Sequence, residues 1–77
     1  MSSSAHDADA VFAAVTERLV TVTLRDGRRV SVPVDRFPRL AHATAAERAD
    51  WRVVGQGEGI HWPRLDEDLS VAGLLRS

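Results

Sequence analysis

Two runs of branched residues separated by one Asp-Gly step decide most of what this chain can become. In Leu19–Leu24, Val20, Val22 and Leu24 fall on one face of an extended strand, and Leu19, Thr21 and Thr23 on the other. Beyond Asp26-Gly27, Val30, Val32 and Val34 alternate in the same way. A two-residue loop would set Val22 opposite Ser31 and Leu24 opposite Arg29, mixing apolar and polar faces. A three-residue loop, Arg25-Asp26-Gly27, pairs Val20 with Val32, Val22 with Val30 and Thr21 with Ser31. It also puts Gly27 at the bulge position, where a left-handed backbone excludes most side chains. The spacing predicts an antiparallel hairpin with one apolar face that the rest of the chain must cover.

The remaining segments are shorter and less regular. Ala10–Val15 fits a helix by its alanines and a strand by its length; strand is preferred, because the next strand needs a neighbour. Pro33 cannot donate to a ladder and predicts an edge or an end there. Asp35 is positioned to cap a turn over residues 36–40, with Pro38 tolerated in its first turn. Thr44-Ala-Ala-Glu47 has the form of a capping box, and the short helix it opens has an alanine face, Ala46 and Ala49, expected to lie against the hairpin. Trp51–Val54 and Ile60–Trp62 read as strands, the second stopped by Pro63. The glycines at 55, 57 and 59 lie in a connecting loop, and Ser70 is placed to cap a last turn over residues 71–75. The expected fold is α+β: a small antiparallel sheet of about four or five strands with short helices on one face. Residues 1–9 read as a frayed tail and residues 10–77 as a single domain.

With 77 residues, the core is small, and stability on the order of 3–5 kcal/mol is expected. The absence of Cys removes disulfides, zinc-thiolate sites and Cys nucleophiles together. Self-association or a partner interface would be the remaining source of extra stability. All ten basic residues are Arg, and the chain has no Lys, Asn or Tyr, which is the mark of GC-rich coding rather than of phosphate binding. A net charge of −1 argues against a general polyanion binder. No apolar run approaches the roughly 20 residues that span a bilayer, and no secretory signal is readable, so a cytoplasmic location is expected.

Candidate chemistry concentrates between Gly59 and Ser70. His61 with Glu58, Asp66, Glu67 and Asp68 has the ligand types of a cation site, but no second histidine stands at helical or turn spacing. In a strand, His61 points away from Ile60 and Trp62, so the simpler reading is a half-buried histidine bonded to a carboxylate or a backbone carbonyl, with Ile60, Trp62 and Leu65 packed inward to close the domain. Asp66-Glu67-Asp68 cannot all face one pocket, and the run reads as a solvated loop or a helix cap. Ser70 lacks a nucleophile elbow, and the three glycines lack the following helix of a dinucleotide fingerprint. No catalytic residue, metal or cofactor is assigned. Between Arg18 and Arg39 six Arg meet two acidic residues, so Arg25, Arg28, Arg29, Arg36 and Arg39 form a candidate basic patch. Apart from Phe37, no aromatic is interleaved with them, where a nucleic-acid groove would use several.

Asp26-Gly27-Arg28, Val32-Pro33-Val34, Phe37-Pro38-Arg39-Leu40 and Arg48-Ala49-Asp50-Trp51 lead into a distinctive run. That run is Gly57-Glu-Gly-Ile-His-Trp-Pro-Arg-Leu-Asp-Glu-Asp-Leu-Ser-Val-Ala-Gly-Leu-Leu75. Over residues 11–75 the chain resembles the bacterial family of domain of unknown function 2442, with Gly27, Pro38, Gly59, His61, Trp62 and Pro63 as its structural signature. An aromatic residue often precedes Phe-Pro-Arg-Leu in that family, where this chain has Arg36. The resemblance implies a small α+β module, in some members placed beside another small protein as in a toxin–antitoxin pair. It implies no catalytic residues. The expected function is therefore a non-enzymatic, cytoplasmic protein–protein interaction module, antitoxin-like in character, with Trp62 and Leu65 as apolar anchors and Asp66, Glu67 and Asp68 as a polar rim. A nucleic-acid accessory protein is the alternative, and a metal-dependent enzyme stands behind it.

Overall fold

The hairpin forms in the expected register. In the computed structural model, which describes residues 9–76, β2 (Leu19–Leu24) and β3 (Arg29–Pro33) pair Val20 with Val32, Thr21 with Ser31 and Val22 with Val30. The Thr21 and Ser31 hydroxyls are 2.8 Å apart, a polar pair on the outer face. Gly27 has φ +93°, and the Asp26 carboxylate accepts from the Arg28 backbone N–H at 2.9 Å, closing the turn. β1 (Ala10–Val15) is a strand, antiparallel to β2. The tail expected over residues 1–9 lies outside the described residues except for Asp9, whose carbonyl accepts from the Arg25 N–H at 2.7 Å.

The chain does not build a single sheet of four or five strands. Its strands form two three-stranded antiparallel sheets, β1-β2-β3 and β4-β5-β6, with β4 at Arg52–Val54, β5 at Gly59–Trp62 and β6 at Glu67–Ser70. The first sheet stops where Pro33 removes a donor. The chain then turns through a 3-10 segment, Val34–Arg36, and two short helices before it can form strands again. By then each new strand finds its nearest partner in the next hairpin rather than in β1 or β3. The acidic run, expected in a loop or a cap, contributes to a strand instead: Glu67 and Asp68 begin β6, paired with Trp62 and His61.

Helix α1 (Pro38–Ala41) is capped differently from expectation. Its N-cap is Phe37 with no side-chain bond, and Asp35 lies inside the preceding 3-10 turn. The residue before a proline is driven out of the helical region, and Phe37, at φ −126° and ψ 83°, splits the segment in two. Helix α2 (Ala45–Ala49) carries the full capping box: Thr44 Oγ1 accepts from the Glu47 N–H and the Glu47 carboxylate accepts from the Thr44 N–H. Ala46 and Ala49 are exposed, contrary to the expected packing of an alanine face. Helix α3 (Val71–Arg76) starts under Ser70, whose Oγ accepts from the Gly73 N–H at 3.2 Å as expected.

Both sheets feed one core. Val20, Val22, Leu24 and Val32 meet Ile60, Trp62 and Leu69, with Leu40, Val71 and Leu74 closing the ends. A main-chain bond joins the halves, the Ala10 N–H donating to the Gly57 carbonyl at 2.8 Å, while the Val71 N–H extends the β5–β6 ladder to the Glu58 carbonyl at 3.0 Å.

Candidate functional site

The structure disperses the expected anchor surface. Trp62 is 0% exposed, and its indole N–H donates to the Arg48 carbonyl at 3.0 Å. It is a core residue with a satisfied polar tip, not a surface anchor. Leu65 is half-buried against the core in the turn between β5 and β6. Asp66 has φ +51°, a conformation Asp tolerates better than most residues. Arg39 bridges to that turn, donating from Nη1 to the Asp66 carbonyl at 2.6 Å. Asp66 and Asp68 are exposed and Glu67 is half-buried.

His61 behaves as the strand alternation implies. It faces away from Ile60 and Trp62, and its Nδ1 lies 2.7 Å from the Asp68 carboxylate directly across the β5–β6 ladder. With the proton on Nδ1, the ring donates to that carboxylate. Arg52 is its neighbour on the other side. In the row Arg52, His61, Asp68, the His61–Asp68 contact is the kind of cross-strand pair that stabilises a sheet face. Among the described residues, no three His, Asp or Glu side chains converge as a metal set.

The basic patch is also dispersed. Arg28 is held by Asp26 at 2.6 Å within its own turn, Arg25 lies 3.9 Å from Asp9, and Arg39 is committed to the β5–β6 turn. Arg29 sits on β3 and Arg36 in the 3-10 turn, both exposed. The Arg28 backbone N–H, assisted by its guanidinium, holds the Asp26 carboxyl below the ordinary value of 3.8.

Two features of the site are not legible in the sequence. Arg48, on α2, donates from Nε to the Leu40 carbonyl at 3.0 Å and from Nη2 to the Ala41 carbonyl at 3.1 Å. It thus satisfies the open end of α1 while its own carbonyl receives Trp62. No local pattern marks such a residue, since its partners lie a whole loop away. The second feature is an aromatic pair. A bulge between Ala10 and Phe12 turns Phe12 outward, 52% exposed, where its ring meets Trp51 edge-to-face at 5.3 Å. Beside the pair runs a groove of about 580 Å³ between β1 and α2, lined by Phe12, Ala14, Val15, Ala45, Arg48 and Ala49 among others.

The protein-family model described as protein of unknown function (DUF2442) matches residues 11–77. A crystal structure of a protein of unknown function from Rhodospirillum rubrum ATCC 11170 is 31% identical. It aligns over 88% of this chain and 84% of its own, with a TM-score of 0.73. No curated protein matches the chain.

Proposed function

From the premise that this chain belongs to the DUF2442 family, we propose that it is a non-enzymatic module that works by docking a protein partner. The observation that carries this reading is Phe12, a large aromatic half in solvent, set edge-to-face on Trp51 at the rim of an open groove. A chain with so small a core gains by burying such residues, and leaving them out weakens the isolated fold. Val11, Val53 and Val54 are further exposed branched side chains on β1 and β4. The acidic rim at Asp66, Glu67 and Asp68 then serves orientation and approach rather than anchorage.

The test is co-expression with the product of the adjacent gene, followed by size-exclusion chromatography with light scattering. A defined heteromeric complex is expected, weakened at least about tenfold by Phe12→Asp, a hot-spot loss. If the neighbour arrests growth alone and is harmless together with this chain, the docking is antitoxin-like. Two separate monomeric peaks at micromolar concentration would refute the proposal.

A further inference from the structure

Within that docking reading, on which this inference rests, we propose that the β1–α2 groove receives an apolar side chain of the partner flanked by a carboxylate, and that Arg48 recognises the carboxylate. The groove has the volume of a small-ligand or side-chain pocket. Its apolar side chains are Phe12, Ala14, Val15, Ala45, Ala49 and Trp51, set in a lining that also carries polar surface. Among the described residues, the one charged residue that lines the groove is Arg48.

Arg48 is half-buried, and its guanidinium bonds to the Leu40 and Ala41 carbonyls. Among the described residues no carboxylate pairs with it. Arg25, Arg28, Arg39 and Arg64, by contrast, each stand beside an acidic side chain. Two carbonyl bonds occupy two of the five N–H groups of a guanidinium and leave it without a full anionic partner. A partly desolvated cation in an apolar wall favours an anion, and a carboxylate matches the guanidinium fork. The aromatic pair supplies the seat for the neighbouring apolar side chain. A second copy of this chain is the weaker occupant. Its own adjacent leucine–acid pairs are tied down: Leu65 lies against the core with the Asp66 carbonyl held by Arg39, and Leu69 is buried with Asp68 held by His61.

The test is an NMR titration of the full chain with two blocked peptides, Ac-Leu-Glu-Leu-NH2 and Ac-Leu-Gln-Leu-NH2. The Glu peptide is expected to shift the amides of Phe12, Val15, Ala45, Ala49 and Trp51 saturably, and the Gln peptide to bind about fivefold more weakly. Ala49→Glu, at an exposed helix position, puts a competing carboxylate in the groove and should abolish the Glu-peptide shifts while circular dichroism stays unchanged. Absence of saturable shifts, equal affinity for both peptides, or shifts centred elsewhere would overturn the proposal. The same shifts produced by raising the protein concentration alone would also overturn it, in favour of a second copy. No cellular partner enters this experiment. A negative titration beside a positive co-expression result moves the docking face and leaves the module reading intact.

Discussion

Gly59→Ala isolates one physical cause, because Gly59 has no left-handed backbone to strain. A Cβ built there would lie 2.4 Å from the carbonyl oxygen of Leu69, well inside van der Waals contact, and the obstacle is main chain rather than a flexible tip. Relief requires β5 and β6 to separate where Gly59 pairs with Ser70 and Ile60 with Leu69. Ile60 and Leu69 are both core residues, so the shift propagates into packing. Overpacking of this kind costs about 2 kcal/mol, against a total stability of about 3–5 kcal/mol for a chain this size. At about 4–8 °C per kcal/mol, the melting temperature should fall by about 8–16 °C. Two other glycines serve as controls. At Gly27 a Cβ meets nothing within 4 Å but φ is +93°, so Gly27→Ala carries only the left-handed cost of about 1–2 kcal/mol. At Gly73 in α3 the nearest atoms are 3.7 and 3.8 Å away, ordinary contact, and Gly73→Ala should stabilise by about 0.5–1 kcal/mol. Thermal melts followed by circular dichroism rank the three. A Gly59→Ala variant melting within about 2 °C of the parent would show that the close strand approach is not a constraint.

Trp62→Ala should remove about 3–5 kcal/mol, comparable to the whole stability of a chain this size; a melting temperature equal to the parent's would refute its place in the core. Thr44→Ala breaks the capping box and should cost about 1 kcal/mol, read as a lower urea midpoint with an unchanged slope. For Asp26, whose folded pKa is lowered by the Arg28 N–H, the turn bond contributes fully above the ordinary carboxylate value. That contribution is lost as pH falls through the lower folded value. A carboxyl NMR titration should find a midpoint below 3.8, and Arg28→Pro, which removes the N–H, should return it toward that value.

How much of this protein the sequence determines depends on the range of the forces involved. The β2–β3 register is readable because alternation and turn length act over about a dozen neighbouring residues, and a slip would put every valine in water. The Thr44–Glu47 box and the Ser70 cap are readable for the same reason, since cap and partner lie three residues apart. A half-buried His61 facing away from Ile60 and Trp62 follows from strand parity, although only the β5–β6 pairing names Asp68 as its carboxylate.

What tertiary structure decided depends on segments meeting that are distant in the chain. Strict alternation would put Phe12 on the same face as Ala10, inside; the bulge sends it outward to Trp51, and no residue type in Ala-Val-Phe announces that bulge. Trp62 reads in the sequence both as a docking anchor and, on the strand face it shares with Ile60, as an inward-packed residue, and the structure takes the inward reading. Its burial depends on the second sheet and on a carbonyl supplied from α2. Arg48 is one arginine among ten, and only the folded chain brings it to the end of α1 and the wall of the groove. Local steric and hydrogen-bonding rules act within a few residues and can be read from order alone. The exposed apolar surface is set by which strands find each other after Pro33 ends the first sheet, a competition among distant contacts that the order of residues does not display.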